Sequence, residues 1–423
     1  MIDYIKDYFR SLLRRSERYF KTDMHYVAVN GFWMSVGQGV SVVIILASSV
    51  AFAYFLPKDI YGNYKFILSA VSILGGLSLS GMGTAVIQAV AKGKEGVLKE
   101  GIRVSLRWGL LSIIAALAIA GYYLHVGNIT MAVCMLIAGV ATPLMNAYSL
   151  APGMFAGRKD FRRPTLYNLW SQVISTAIIV LTAVYIHNVI ILIAVNFISN
   201  LIIDIGIYLY IMKVWKPNTE TDPALIGYGK HISYMNFFGT LANQLDKILV
   251  FHWMGAVELA IYSFAIAIPE QIKGSYKNLF AIALPKMTSA DPRLLRASVL
   301  DKFYRLTAIT IILVAAYYFA APYIYTVLFP KYLSSVWYSQ IYMFGLVTIP
   351  GIALFSAYFQ VKQDTATLYK ITLAGNAVTI FLTVVLIYSF GITGAVIENG
   401  TSWLVMLLIG LFFFLRDKPS VSA

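Results

Sequence analysis

Charge is scarce in this 423-residue chain. Only 12% of it is Asp, Glu, Lys or Arg, against about 25% in a soluble protein. Long polar stretches are missing too, so there is no material for an extramembrane domain. With 59% hydrophobic residues and a mean hydropathy of +0.73, the composition excludes a soluble globular protein and leaves an all-α, polytopic membrane protein. There is a single cysteine, Cys134, inside an apolar run, so no intramolecular disulfide can form. The five histidines (His25, His125, His187, His231, His252) are far apart, and no metal-ligand spacing occurs among them. No Ser-His-Asp or Cys-His grouping and no Gly-rich nucleotide loop stands out. No metal, no cofactor and no catalytic residue is therefore expected, and the chain does not read as an enzyme.

What is present is a series of apolar runs, each near the roughly 20 residues that cross a bilayer. Twelve are expected, at about 27–56, 64–90, 108–126, 131–155, 165–186, 189–212, 232–253, 259–285, 306–329, 337–361, 369–390 and 392–415. The net charge of +14 invites a nucleic-acid reading, but its distribution argues against one. On alternating crossings, roughly 27 of the 33 Lys and Arg fall on the side of the termini. The opposite side holds little beyond Lys58, Lys65 and Lys331. That bias places both termini in the cytoplasm of a multi-pass cell-membrane protein. Residues 1–23 alternate apolar positions with Arg10, Arg14, Arg15 and Arg18, the pattern of a basic amphipathic helix lying on the membrane surface. Anionic membrane lipids are its expected contact.

The chain also repeats itself. Pro143 is followed by GRKD and then Thr165-Leu166-Tyr167; Pro350 is followed by VKQD and then Thr367-Leu368-Tyr369. The link LPKDIYGNYKF lines up with MGAVELAIYSF, placing Tyr64 on Tyr262 and Phe66 on Phe264. A parallel six-plus-six repeat follows, with 24–212 as the first lobe, 213–231 as a cytoplasmic linker, 232–415 as the second lobe and 416–423 as a tail.

Charges inside apolar runs mark the candidate site. Each costs roughly 2.5–3.5 kcal/mol at the bilayer centre. The seventh crossing carries Asp246 and Lys247, extended by Asn243 and Gln244; the eighth carries Glu270, Lys273 and Lys277 at i, i+3 and i+7, one helix face. Asp246 and Lys247 point about 100° apart, so one is expected to face a cavity while the other packs against a neighbour. Glu398, in the twelfth crossing, is expected to partner Lys247 at similar depth. The first half is poorer in charge: Asp204, nearer the cytoplasmic end of the sixth crossing, reads as structural, and neutral groups such as Gln172, Asn196 and Asn200 read as interhelical glue.

PKDIYGNYKFILS, ANQLDKILVFHWMGAVELAIYSFA and the loop GRKDF carry a resemblance. The chain resembles the polysaccharide and lipid-linked-oligosaccharide (O-antigen-type) flippases of the multidrug/oligosaccharidyl-lipid/polysaccharide transporter superfamily. The resemblance implies about twelve transmembrane helices in two six-helix lobes around a central cavity, alternating access, and a polyprenyl-diphosphate-linked oligosaccharide as cargo. It implies Lys247, Lys273, Lys277, Asn243 and Gln244 as substrate-binding residues, and Asp246, Glu270 and Glu398 as coupling or ion-pair carboxylates. The expected partners are the lipid-linked cargo, membrane lipids and polysaccharide polymerase or assembly proteins, with the chain itself a monomer. Arginines expected deep in such a cavity are absent; lysines stand there instead. A cation-coupled multidrug exporter is the first alternative, though the first crossing lacks the acid expected of one. A membrane glycosyltransferase or polymerase is the second.

Overall fold

The computed structural model describes residues 24–288 and 292–417. The amphipathic stretch 1–23 and the tail from 418 onward lie outside the described residues, as do the side chains of 24–30, 34 and 276–295, Lys277 among them. In hydrocarbon every backbone N–H and C=O must find a partner within the protein, which favours helix throughout. The described residues form helices joined by short links.

Twelve crossings result. They are α1 (Met24–Phe55); α2 (Lys58–Gly76) with α3 (Met82–Ala91); α4 (Val97–His125); α5 (Ile129–Tyr148) with α6 (Gly153–Gly157); α7 (Arg162–Tyr185); and α8 (Val189–Val214). The second set is α9 (Pro223–Met254); α10 (Ala256–Thr288); α11 (Pro292–Leu328); α12 (Ser335–Gly345) with α13 (Ile349–Val361); and the two arms of α14 (Thr365–Arg416). At 52 residues, α14 would run about 78 Å if straight. It turns back at Gly391, whose φ of 58° and ψ of −133° interrupt the helix. The arms meet so closely that a Cβ on Gly394 would stand 1.9 Å from the Leu386 carbonyl oxygen.

Several helices begin earlier than the sequence expectation: α4 at Val97 rather than near 108, α11 at Pro292 rather than near 306, and two more that bear on the site. Helix α9 begins at Pro223 behind the cap of Asp222, whose side chain accepts from Ala224 N at 3.0 Å. Only 215–222 therefore remain as a non-helical linker, because an Asp-Pro pair is a ready helix start. The second crossing begins at Lys58, not near residue 64, which carries Lys65 about 10 Å into the span.

Three crossings are broken: the second at 77–81, the fourth at 149–152 and the tenth at Leu346–Thr348. A break frees backbone groups, tolerable only where protein re-satisfies them. Around the second crossing's break, Ser112 Oγ donates to Leu74 O at 2.6 Å and Asn146 Nδ2 to Gly75 O at 3.0 Å, while Ser233 Oγ accepts from Gly81 N at 2.9 Å.

The links gather at two ends. At the basic end Glu95, Arg158 and Asn218 join three of them: Arg158 Nε donates to Glu95 Oε1 at 2.7 Å and Asn218 N to Glu95 Oε2 at 3.1 Å. At the far end Lys331 Nζ donates to Tyr54 O at 2.5 Å and His187 Nε2 lies 2.9 Å from Phe55 O.

Candidate functional site

Among the described residues, eight helical stretches are apolar enough on their own to cross a membrane, the two-armed α14 counting as one. The crossings outside that set are the second, seventh and eighth, made by α2–α3, α9 and α10. These carry most of the cavity's charges, Glu398 of α14 being the exception, and they pack on one another where the two halves meet. Neighbouring helices replace lipid around them, so the cost of their charges falls on a protein-lined space.

That space is a cavity of about 890 Å³. Its walls are chiefly α9, α10, α13 and α14 of the second half, closed on the other side by Ile45 and Ser49 of α1 and by Tyr61 and Lys65 of α2. Of the residues singled out by sequence, Asn243, Gln244, Asp246, Lys247, Glu270, Lys273 and Glu398 all line it.

The charges are arranged in two pairs and two single groups. Lys247 Nζ lies 3.3 Å from Asp246 Oδ1. Asp246, 6% exposed, also accepts from the Tyr262 hydroxyl of α10 at 2.5 Å. Tyr262 in turn accepts from Asn399 Nδ2 at 3.2 Å. Asp246 thus packs against a neighbour while Lys247 reaches the cavity, one of the two orientations left open by the sequence. Lys273 Nζ lies 2.5 Å from Glu270 Oε1 and 4.6 Å from the ring centroid of Trp403. The Tyr342 hydroxyl donates to the same Glu270 oxygen.

Glu398 is not the partner of Lys247. It is 2% exposed, and its Oε1 accepts from Ser402 Oγ at 2.6 Å, one turn along its own helix. Similar depth was a poor guide here, because a hydroxyl at i+4 on the same face captures the carboxyl, while adjacent Asp246 already holds Lys247. Lys65 was missed by the sequence reading. Its ammonium lies 5.4 Å from the Tyr61 ring centroid, and no carboxylate stands within ion-pair distance of it among the described residues. It brings a cation from the first half to a site expected wholly in the second. The sequence held no signal for it: only the helix start at Lys58, seven residues earlier, puts it too deep for a surface loop.

The cavity is shut at the far end. Tyr61 of α2 stacks on Phe264 of α10 with centroids 4.6 Å apart, and Phe264 meets Tyr332 at 3.9 Å. Phe66 stacks on Phe251 of α9 at 3.9 Å. Gly62 lies so close to the start of α10 that a Cβ there would stand 1.8 Å from the Ala256 carbonyl oxygen. Toward the basic end the lining continues to Lys273, Met406 and Gln360. Chemically, this is a one-sided polar chamber in which two lysines are held by exchangeable carboxylates and a third is not. It suits an anionic group that competes for ammonium donors. Among the described residues no group of three or more His, Cys, Asp or Glu could hold a metal.

Comparison with known proteins places this arrangement. The family model described as polysaccharide biosynthesis protein matches residues 27–290. No curated protein sequence matches the chain at a significant level. Among solved structures, the lipid II flippase MurJ in an inward closed conformation has a TM-score of 0.72 at 12% identity, covering 90% of this chain and 86% of its own. An inward-facing multidrug resistance MATE family transporter of the MOP superfamily has a TM-score of 0.70 at 14% identity, covering 90% and 96%. An outward-facing transporter of the same description has a TM-score of 0.64 at 14% identity, covering 92% and 94%.

Proposed function

Because the chain belongs to the polysaccharide biosynthesis protein family, we propose that it flips a polyprenyl-diphosphate-linked oligosaccharide across the cytoplasmic membrane by alternating access of its central cavity. The observation that carries this reading is the set of three lysines, Lys65, Lys247 and Lys273, lining one chamber between the halves. A diphosphate gives up strong hydration on entering a membrane protein, and only fixed cations and donors replace it. Lys65 makes the first contact, having no carboxylate to leave. Lys247 and Lys273 then exchange Asp246 and Glu270 for phosphate oxygens, and exchange back on release. Asn243 and Gln244 supply neutral donors beside them. Lys277, four residues beyond Lys273 in the sequence, is assigned to the same role as Lys273. The lobes that move are 24–212 and 232–415, hinged at the linker between them.

On this reading the basic end is cytoplasmic, as the lysine and arginine bias requires. The far-end seal then makes the present state inward-facing, ready to load. Asp246 and Glu270 are the groups through which an ion gradient acts: protonating either frees its lysine for cargo, whereas Glu398, bonded to Ser402, has no lysine to release. The exporter alternative uses the same carboxylates on a cationic drug; Asp246 and Glu270 are already paired with lysines, which leaves only Glu398 of the lining carboxylates for one. The protein works as a monomer, breaks no covalent bond, and hands cargo to the polymerase and assembly proteins of surface polysaccharide.

The test is reconstitution into vesicles with a panel of polyprenyl-diphosphate-linked sugars, following their appearance in the opposite leaflet. Flipping of at least one is expected. Movement of lipophilic cations, with no lipid-linked sugar moved, would establish the exporter instead. Labelling of cysteines placed at Asp59 and Arg162 checks the sidedness: reaction of both from one side of the membrane overturns it.

A further inference from the structure

A second pocket lies wholly within the first half. It occupies about 450 Å³ between α1, α2, α7 and α8. Among its lining residues there is no Asp, Glu, Lys, Arg or His. Hydroxyls and amides take their place: Ser41, Asn168, Ser171, Gln172, Asn196 and Asn200 are representative. Some of their hydrogen-bonding capacity is spent internally. Ser41 Oγ donates to Gln172 Oε1 at 2.5 Å, and Asn200 Nδ2 donates to Asn196 O at 2.8 Å and to Asn196 Oδ1 at 3.3 Å. The rest is not: Gln172 Nε2, Asn196 Nδ2 and both polar atoms of the Asn168 amide make no hydrogen bond to protein among the described residues. The rings of Phe52 and Tyr64 form an apolar flank, with centroids 5.9 Å apart.

The chemistry narrows the occupant. A desolvated ion is held best by an opposite charge, and none lines this pocket. An apolar tail would leave amide donors unpaired, at a cost for each. What fits is a neutral group that both donates and accepts hydrogen bonds and has an apolar face to lay on a ring. An uncharged sugar residue has all three properties.

The pocket also adjoins the charged cavity. On α1, Ser41, Ser48 and Phe52 line the neutral pocket while Ile45 and Ser49 line the charged one. At 3.6 residues per turn these two faces lie about 60° apart. On α2, Tyr64 lines the first and Lys65 the second. We infer that the first-half pocket is a saccharide subsite selective for uncharged sugars, contiguous with the lysine cavity that takes the diphosphate. This rests on the flippase reading above. It adds that the two halves divide the cargo, the second taking the charge and the first an uncharged sugar.

The experiment measures binding of three probes to the full-length protein in nanodiscs: bare polyprenyl diphosphate, the same lipid bearing a neutral hexose or N-acetylhexosamine from a panel, and the same lipid bearing a uronic acid. At least one neutral sugar is expected to tighten binding about tenfold over the bare lipid, the worth of one or two net hydrogen bonds. The uronic acid is expected to add nothing. Gln172→Leu and Asn196→Leu should each erase most of the neutral-sugar increment and leave bare-lipid binding unchanged. Asn168→Ala, at an exposed position, provides the same test with little demand on folding. The inference is overturned if no neutral sugar adds affinity, if the uronic acid adds as much, or if the increment survives all three substitutions. It is equally overturned if sodium titration displaces the neutral sugar competitively, which would make the pocket a cation site. Failure of the bare diphosphate to bind, with free neutral sugars still bound and lost in the Leu variants, would strike the flippase reading and leave this subsite standing.

Discussion

After α6, Lys159 takes a φ of 64°, and Asp160 N closes the turn onto Phe155 O at 3.0 Å; after α13, Gln363 takes a φ of 56°, and Asp364 N closes onto Phe359 O at 3.0 Å. Two non-glycine residues in the left-handed region are uncommon, and these sit at matching places in GRKD and VKQD. The anchoring phenylalanines are both buried, Phe155 at 0% and Phe359 at 2%. Around these loops each half also builds an ionic clasp, Arg158 with Glu95 in one and Lys362 with Asp417 in the other. The cavities those frames enclose are nevertheless opposite in kind. The first half's pocket has no ionisable group except the buried Tyr64 hydroxyl, while the second half's cavity holds Asp246, Lys247, Glu270, Lys273 and Glu398. The scaffold is maintained by helix-end geometry, which needs only a few residues, so the inward faces are free to diverge in chemistry.

The largest expected effect comes from separating the halves where they touch. Gly62→Val places side-chain atoms where the Ala256 carbonyl oxygen already stands. Backbone cannot rotate away as a side chain can, so the cost should sit at the upper end of the roughly 1–3 kcal/mol typical of overpacking. Transport should fall below detection, and cysteines substituted at Ser263 should become reactive from the far end. Unchanged transport would mean that this seal is not part of the cycle.

Next in size is removal of the second half's cations. Lys247→Ala with Lys273→Ala should lower flipping about a hundredfold, equivalent to roughly 2.7 kcal/mol, with bare polyprenyl diphosphate binding lost in parallel. Gln172→Leu in the first half should leave that binding intact. Equal loss from both would erase the contrast between the halves. Lys65→Met sharpens it further. Since no carboxylate is left behind, thermal stability should hold or rise, while flipping drops about tenfold. A fall in stability would reveal that Lys65 holds structure rather than cargo.

Much of this was legible in the sequence, for definite reasons. Apolar runs of bilayer length gave the twelve crossings, and the GRKD and VKQD loops gave the internal repeat, because both are local signals. Asp246, Lys247, Glu270 and Lys273 stood out because charge within an apolar run is anomalous wherever the run goes. Lys65 did not, since it follows Pro57 and Lys58 closely enough to read as a link; only the helix start at Lys58 shows that it is inside. The pairing of Glu398 depended on the direction of its side chain around the helix, which depth alone does not supply. Nor did the first-half pocket announce itself. Ser, Asn and Gln in membrane helices mostly bind helix to helix, and Ser41 with Gln172 does so here. That Gln172 also has a free amide edge is a fact about packing, not about sequence.

The smallest effect lies in the loops where the halves agree. Asp364 caps α14, accepting from Thr367 N at 3.0 Å and from Thr367 Oγ1 at 2.6 Å. Asp160 stands at the matching place before α7 and accepts from Arg163 N at 3.2 Å. Replacing either by Ala should cost about 1 kcal/mol, the usual worth of a helix cap, with Asp364 the more costly because its second donor, Thr367 Oγ1, sits at 2.6 Å while that of Asp160, Arg163 Nη1, stands at 3.3 Å. The hydrogen bonds from Thr367 keep the Asp364 carboxyl below its ordinary range. A depressed folded-state pKa means that its contribution is present in full above the unfolded value, near 3.9. It then fades as pH falls through the folded one. Wild type and Asp364→Ala should therefore differ in melting temperature at pH 7 and converge as the buffer is taken below about pH 4. Asp364→Asn separates the cap from its charge: the amide oxygen still accepts from Thr367 N, so most of the stability should remain while the acid sensitivity disappears. A difference between wild type and Asp364→Ala that persists undiminished at low pH would show the cap to act through its shape and not its ionisation, and the same measurement on Asp160→Ala would tell whether the two halves share that behaviour as they share the turn.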